Sequence, residues 1–172
     1  MNADHKFTGP DGEVSLLDLF DGRRQLVVYH FMSHVDGADF CRSCSFWVDN
    51  IGHLAHLHAR DTSLVLDCPV PYAEIAEFKQ RMGWTVPWYS SLGSSFYRDL
   101  HVTLEPGVVV PPGISAFIRD GDQVFHTYST YGRGSDLLNG TYNYLDLTAL
   151  GRQEEGLAFP QSWVRYHDSY AA

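Results

Sequence analysis

The sequence predicts an α/β fold: a mixed central sheet with helices on both faces and a C-terminal β-hairpin plus helix. Three observations carry that expectation. Two apolar runs, Gln25 to Met32 and Thr62 to Cys68, are each followed by a segment of helical spacing, the pattern of strand–helix units. Further on, Asp120-Gly121-Asp122 separates two strand-like runs as a hairpin turn. Between the first run and the first helix stands Cys41-Arg42-Ser43-Cys44.

Taken in order, Phe7 to Gly22 reads as a short hairpin and turn, because Gly9-Pro10-Asp11-Gly12 is strong turn chemistry. Leu26 to Met32 is nearly continuous in apolar residues, as a central parallel strand should be. Ser33 to Phe40 is a polar loop. From Cys44 onward, Phe46, Trp47, Ile51, Leu54 and Leu57 mark one helical face that ends near Ala59. After the strand Thr62 to Cys68, Pro71 opens a helix with apolar positions Ile75, Ala76, Phe78 and Met82, and Gly83 ends it. Thr85 to Tyr89 is extended, and Ser94 to His101 is a short helix or turn. Pro106 to Gly113 leads to the hairpin Ile114–Arg119 and Gln123–Tyr128; it is the one loop that a lid could come from, and a simple connection is the preferred reading. Leu137 to Gly140 and Tyr142 to Leu145 supply the last helix. There is no repeat, low-complexity segment or linker. One domain is therefore expected over 1–172, with its core at about 7–151 and a tail at 152–172.

Apolar content of 44% and charged content of 19% describe an ordinary globular protein. The net charge of −9 and the lack of a basic stripe argue against nucleic acid, and weakly against anionic membrane surfaces. No stretch is long and apolar enough to span a bilayer. The start, Met1 to Lys6, lacks the apolar core of a signal peptide, so a cytoplasmic location is expected. Three cysteines do not make a disulfide scaffold. In a reducing compartment the C-x-x-C pair reads as catalytic or metal-binding, and Cys68 as a small buried hydrophobe.

A C-x-x-C pair at the start of a helix brings two sulfurs within bonding distance across the first turn. The unsatisfied N–H groups and partial positive charge of the helix N-terminus favour a thiolate there. Cys41 is then the nucleophile and Cys44 the resolving thiol. Together with the order strand, helix, strand, helix, hairpin and helix, this is the thioredoxin-like arrangement. The sequence also resembles a thioredoxin-like family of unknown function whose members are commonly described as predicted dithiol-disulfide oxidoreductases. The matching segments are Tyr29-His30-Phe31-Met32, Cys41-x-x-Cys44-Ser45-Phe46-Trp47-x-Asp49-Asn50 and Arg81-Met82-Gly83-Trp84-Thr85-x-Pro87-Trp88. Phe125 to Gly134 and Leu137 to Tyr142 complete the resemblance, which covers the chain from about Gly9 to Gly151. It implies the fold strongly and the activity weakly.

Relatives often carry a proline or glycine around the cysteines, where Phe40, Arg42 and Ser43 stand here, and an additional N-terminal helical segment that is missing here. Thioredoxins proper place a cis-proline just before the hairpin, a place that falls here near Gly113, preceded by Pro111 and Pro112. The standard clamp is thus absent or shifted. Peroxiredoxins share the fold, but their signature puts a proline and a Thr or Ser upstream of the reactive cysteine. Asp36-Gly37-Ala38-Asp39-Phe40 supplies neither, so peroxide reduction is not the primary reading.

Three functions remain. The first is a thiol-disulfide oxidoreductase with Cys41 and Cys44 and no cofactor, acting on a small-molecule thiol or a protein disulfide. Trp47, Trp84, Trp88, Tyr131 and Arg133 would line its substrate site, although core packing competes for each aromatic and an Asp136 pairing competes for Arg133. The second is a metal-dependent oxidoreductase acting on a small aromatic molecule. Copper, zinc or iron would then be held by Cys41, Cys44 and one or both of His30 and His126, with a structural histidine the alternative at His30 and His126. The third is a non-catalytic binding module. His53, His56 and His58 read as a solvated face, and Asp49 as a proton relay or a polar cap. An exposed sheet edge, or the surface left open by the missing N-terminal segment, would support a homodimer.

Overall fold

The computed structural model describes residues 1–32, 40–100 and 112–171. Seven strands form one mixed sheet: β1 (Lys6–Gly9), β2 (Gly12–Ser15), β3 (Gln25–His30), β4 (Thr62–Cys68), β5 (Trp88–Ser90), β6 (Gly113–Asp120) and β7 (Gln123–Tyr131). Their spatial order is β2-β1-β5-β4-β3-β6-β7. The helices are α1 (Arg42–Asp49), α2 (Ala55–His58), α3 (Tyr72–Arg81), α4 (Phe96–Asp99) and α5 (Gly140–Leu145). Strand β3 lies between β4, parallel to it, and β6, antiparallel to it. It therefore has a neighbour on both edges and cover on both faces, which is why its sequence runs apolar without alternation.

The two faces have separate cores. Tyr29 and Phe31 pack with Cys44, Trp47, Ile75, Phe78 and Trp88 on the face covered by α1 and α3. Leu26 and Val28 pack with Leu19, Phe20, Phe96, Tyr97 and Phe117 on the other. Because side chains alternate along a strand, consecutive residues of β3 belong to different cores.

Thr62–Cys68 forms a strand over the expected residues, and Pro71 sits as N-cap of α3, which Gly83 follows at φ 64°. The first helix differs. It was expected to run to about Ala59, but α1 stops at Asp49 and a separate turn, α2, follows. Asn50 is the reason. Its side-chain amide donates to the Phe46 carbonyl at 2.8 Å, and its Oδ1 accepts from the amide and hydroxyl of Thr141 at 2.7 and 2.9 Å. The residue that caps α1 is thus tied to the start of α5.

The segment beyond 151 carries core residues of its own. Val164 and Tyr166 are buried, and Tyr166 belongs to the same cluster as Cys44. Its hydroxyl donates to the Phe40 carbonyl, one residue before Cys41. Arg81 at the end of α3 holds Asp168 with Nε and Nη2 at 2.8 and 3.1 Å. Among the described residues no helix is long and apolar enough to cross a membrane.

Candidate active site

Chain geometry brings the two cysteines to the end of β3. Cys41 is the N-cap of α1, with φ −58° and ψ 122°, and its sulfur accepts from the Cys44 amide at 3.3 Å. Sulfur here takes the place that a Ser or Asp oxygen usually holds at a helix start. The Cys44 thiol and the Ser43 amide also favour its thiolate. The Cys44 thiol, with these amides, brings the Cys41 thiol from its ordinary value of 9.0 down to about 7 against the opposing effect of burial.

Cys44 is the reverse case. It is wholly buried, and burial pushes its thiol well up. The Met32 amide, from the chain just past β3, nevertheless donates to its sulfur at 3.5 Å, and together with the Tyr29 hydroxyl it works against that rise. The Tyr29 ring is fixed by the indole of Trp47, parallel to within 1° at a centroid distance of 4.0 Å. Cys41, Cys44 and Cys68 are all free thiols. Cys68, on β4, is buried in the same core, and burial holds its thiol well above the ordinary value.

A cleft of about 270 Å³ opens on Cys41. Tyr29, Met32, Trp47 and Pro112 form its less polar side, and Arg133, Asp136, Asn139 and Gln161 its polar side. Of the five residues expected to bind substrate, Trp47 and Arg133 are therefore at the cysteine. Arg133 is already engaged, by Asp136 at 2.7 Å and by the Tyr142 ring beneath it at 5.2 Å. The other three are elsewhere. Trp88 is buried in the core, within 4.6 Å of the Phe31 ring. Trp84 donates to Asp49 at 2.7 Å and lines a different depression beyond the far end of α1. Tyr131 leans on the opposite core and donates to the Leu100 carbonyl at 3.3 Å. Asp49 also accepts from His167 at 2.8 Å, so it joins α1 to the C-terminal segment. Pro112 directly precedes β6 and lines the cleft. Residues 33–39, which include the polar loop and Asp36 to Asp39, lie outside the described residues, as do His101 and 106–111 of the lid-like connection.

The four-residue metal set is not assembled. His30 follows Tyr29 on β3 and so faces the opposite core, with its ring 5.4 Å from Tyr97 and 5.8 Å from Phe96. Both its nitrogens are occupied, Nδ1 by Asp67 Oδ1 at 2.8 Å and Nε2 by Ser115 Oγ at 2.7 Å. His126 stands on that same face, 5.3 Å from the Phe117 ring, with Nε2 at 2.9 Å from the Tyr128 carbonyl and 2.7 Å from Ser129 Oγ. Among the described residues no three of His, Cys, Asp and Glu form a group that could hold an ion. Sequence reasoning gave no role to Tyr29 or Met32, though both lie in a segment that carries the family resemblance.

A helix that starts on a cysteine, placed after the central strand of a mixed sheet, defines a thioredoxin-fold protein. The chain belongs to the family described as "Bacterial protein of unknown function (DUF899)", which matches residues 1–170. No curated protein sequence matches it. Among solved structures it is similar to the peroxidoxin BcpB of Mycobacterium tuberculosis, with a TM-score of 0.55 and 16% identity over 81% of this chain and 92% of that one. A cysteine-to-serine mutant of Xylella fastidiosa PrxQ gives 0.53 and 12% over 83% and 90%. A cysteine-to-serine mutant of Xanthomonas campestris peroxiredoxin Q gives 0.52 and 12% over 83% and 92%. At these identities the likeness speaks for the fold.

Proposed function

We propose that the protein is a cytoplasmic thiol-disulfide oxidoreductase acting on low-molecular-weight disulfides. The observation that carries this reading is the asymmetry of the pair: Cys41 opens to the cleft with its thiol lowered to about 7, while Cys44 is sealed behind it. In a neutral, reducing compartment a large share of Cys41 is thiolate. It attacks a substrate disulfide RS–SR, forming Cys41–S–S–R and releasing RS⁻. Cys44 then attacks the Cys41 sulfur, forming Cys41–S–S–Cys44, and its proton leaves with the second thiol as RSH. Two electrons pass from the protein dithiol to the substrate, and a dithiol reductant restores the pair. A cleft of about 270 Å³, with one polar side, supports a small molecule over a folded protein as the partner.

Mass spectrometry of the whole protein tests the reading. Treatment with a small disulfide is expected to give a species lighter by two hydrogens, restored by reduction, and Cys44→Ser is expected to stop at the mixed disulfide on Cys41. No mass loss in the wild type and no adduct in Cys44→Ser would sink it.

A further inference from the structure

The cleft that opens on Cys41 has one polar wall, and most of the polar groups in that wall are already spent. The Ser135 hydroxyl donates to the Gly132 carbonyl at 3.0 Å, and the Ser135 carbonyl accepts from the Trp47 indole at 3.3 Å. Asp136 is the one carboxylate among the described lining residues, and its Oδ2 is shared by Arg133 at 2.7 Å and Arg152 at 3.2 Å. Two donors are left over. Asn139 lines the cleft at 2% exposure, and its Oδ1 accepts from the Tyr142 amide at 3.1 Å. A backbone amide can only donate, so the atom that meets it is the oxygen. The Asn139 side-chain nitrogen is then the atom without a partner among the described residues. Arg133 is the second donor. It bonds Asp136 and the Tyr142 hydroxyl, the latter at 3.3 Å, yet its side chain is 47% exposed. A guanidinium carries more N–H groups than these bonds use. Glu154 comes no closer to it than 3.8 Å and is not part of the cleft lining.

We infer that Asn139 Nδ2 and the Arg133 guanidinium form a carboxylate subsite, and that the substrate is a low-molecular-weight disulfide with a carboxylate on the half that Cys41 captures. The inference rests on the thiol-disulfide reading above. A buried amide N–H without an acceptor is costly, and this one stands in the same cleft as the nucleophile. A carboxylate accepts from both donors at once and carries the charge that answers Arg133. A hydroxyl offers no charge, and an ammonium group would meet only donors. The chain's net charge of −9 gives the long-range field the opposite sign, so attraction of an anion here is local. Tyr29, Met32 and Trp47, on the less polar side, suit the carbon chain between sulfur and carboxylate. In the reaction, the Cys41 thiolate attacks the near sulfur of ⁻OOC–R–S–S–R′. The new S–S bond joins Cys41 to the carboxylate half, the old one breaks, and its electron pair leaves on the far sulfur as R′S⁻. Asn139 and Arg133 select the substrate and exchange no electrons with it.

The test uses the Cys44→Ser protein, which stops at the mixed disulfide, and three symmetric disulfides that differ in their end groups. These are 3,3′-dithiodipropionate with carboxylates, bis(2-hydroxyethyl) disulfide without charge, and cystamine with ammonium groups. Mass spectrometry follows the adduct on Cys41. Each rate is divided by that of the same disulfide with 2-mercaptoethanol, which removes differences in intrinsic reactivity. On that scale the dicarboxylate is expected to react about ten- to thirtyfold faster than the neutral disulfide, with cystamine slowest. Asn139→Asp, added to the same protein, keeps the shape and the capping oxygen and replaces the amide with a charged acceptor. It is expected to slow the dicarboxylate by about tenfold or more and to speed cystamine, a reversal that a structural loss would not produce. If Asn139→Asp does not fold, Arg133→Gln takes its place, since Asp136 keeps its bond to Arg152. That variant is expected to bring the dicarboxylate and neutral rates within about threefold of each other. Equal scaled rates for the three disulfides, cystamine as the fastest, or a dicarboxylate preference that survives these variants would overturn the subsite and leave the thiol-disulfide reading standing. No adduct with any of the three would bring down that reading, and this inference with it.

Discussion

On one face of the sheet Tyr29 meets two thiols at a helix start that opens into a cleft. On the other, His30, the next residue along β3, is locked between Asp67 and Ser115 in a sealed core. Both sites are rich in titratable groups, and both lie near the carboxyl end of the same strand. They differ in access. Every polar atom of the His30 ring has a partner. The bonds continue from Ser115 to Ser129 at 2.7 Å and from Ser129 to His126 at 2.7 Å. At the outer end the Tyr128 carbonyl can only accept, so His126 Nε2 carries its proton and shares it between that carbonyl and the Ser129 hydroxyl. Each serine hydroxyl can both accept and donate, so the links inward to His30 and Asp67 form a continuous hydrogen-bonded row. The chain crosses β7, β6, β3 and β4 and binds four strands together. The thiol site instead leaves one strong nucleophile unspent. Polar groups sealed in a core hold a fold together, and a nucleophile open to a cleft does chemistry.

That contrast is sharpest at Cys41. Cys41→Ser is expected to cost more than about a hundredfold in the rate of reaction with a small disulfide, because a serine hydroxyl is not ionised near neutral pH. Thermal denaturation should barely move at pH 6. Reaction of wild-type Cys41 with iodoacetamide is expected to rise with pH to a midpoint at about 7, against 9.0 for an ordinary thiol. The same depression has a sign in stability. The thiolate contributes fully above the unfolded value near 9.0 and the contribution is lost as pH falls through about 7. Wild-type stability relative to Cys41→Ser should therefore grow from pH 7 to 9. A midpoint above 8.5 would erase the difference between the two faces.

The opposite face should answer with stability and leave reactivity alone. His30→Ala removes one partner from a buried pair and strands Asp67, whose Oδ2 has no hydrogen-bond partner among the described residues. A loss of about 3–5 kcal/mol in denaturant unfolding is expected. The iodoacetamide midpoint of Cys41 should stay at about 7. If His30→Ala instead removed disulfide reactivity at unchanged stability, the division between the faces would be wrong.

How far the two faces could be told apart from sequence depends on where the information sits. The placement of Cys41 and Cys44 at a helix start was legible because it is local, in a spacing that follows an apolar run. The strand Thr62–Cys68 was legible because an apolar run is bounded by polar residues and a proline. The assignment of His30 to the thiols failed for a physical reason. A strand buried on both faces shows no alternation, so nothing in Leu26 to Met32 says which parity meets α1. Tyr29 went unread for the same reason. The break after Asp49 was hidden because Asn50 is held by Thr141, 91 positions away.

Smaller effects refine the picture on the thiol side. Tyr166→Phe removes the hydroxyl that reaches the Phe40 carbonyl, next to Cys41. It leaves the ring in the core and takes a donor from a buried carbonyl, so a loss of about 1–2 kcal/mol is expected. Because Phe40 precedes the N-cap of α1, the reaction of Cys41 should slow by about two- to fivefold, as its sulfur is held less firmly over the helix amides. A variant with full stability and slowed reaction would show that the C-terminal segment serves the site alone.

The mildest test lies at the outer end of the histidine chain. His126 is exposed, and its Nε2 supplies the first donor, to Ser129. With alanine there, Ser129 can take water as its donor, because it lies at the edge strand and is only partly buried. The inner links from Ser115 to His30 and Asp67 stay in place. A loss of about 0.5–1 kcal/mol is expected, well short of His30→Ala, with no change in thiol chemistry. The two substitutions together should cost no more than His30→Ala plus a few tenths of a kcal/mol, since members of one network do not add. Full additivity in that double-mutant cycle would mean that the chain is a row of separate contacts, and its role in binding four strands would fall to the His30–Asp67 pair alone.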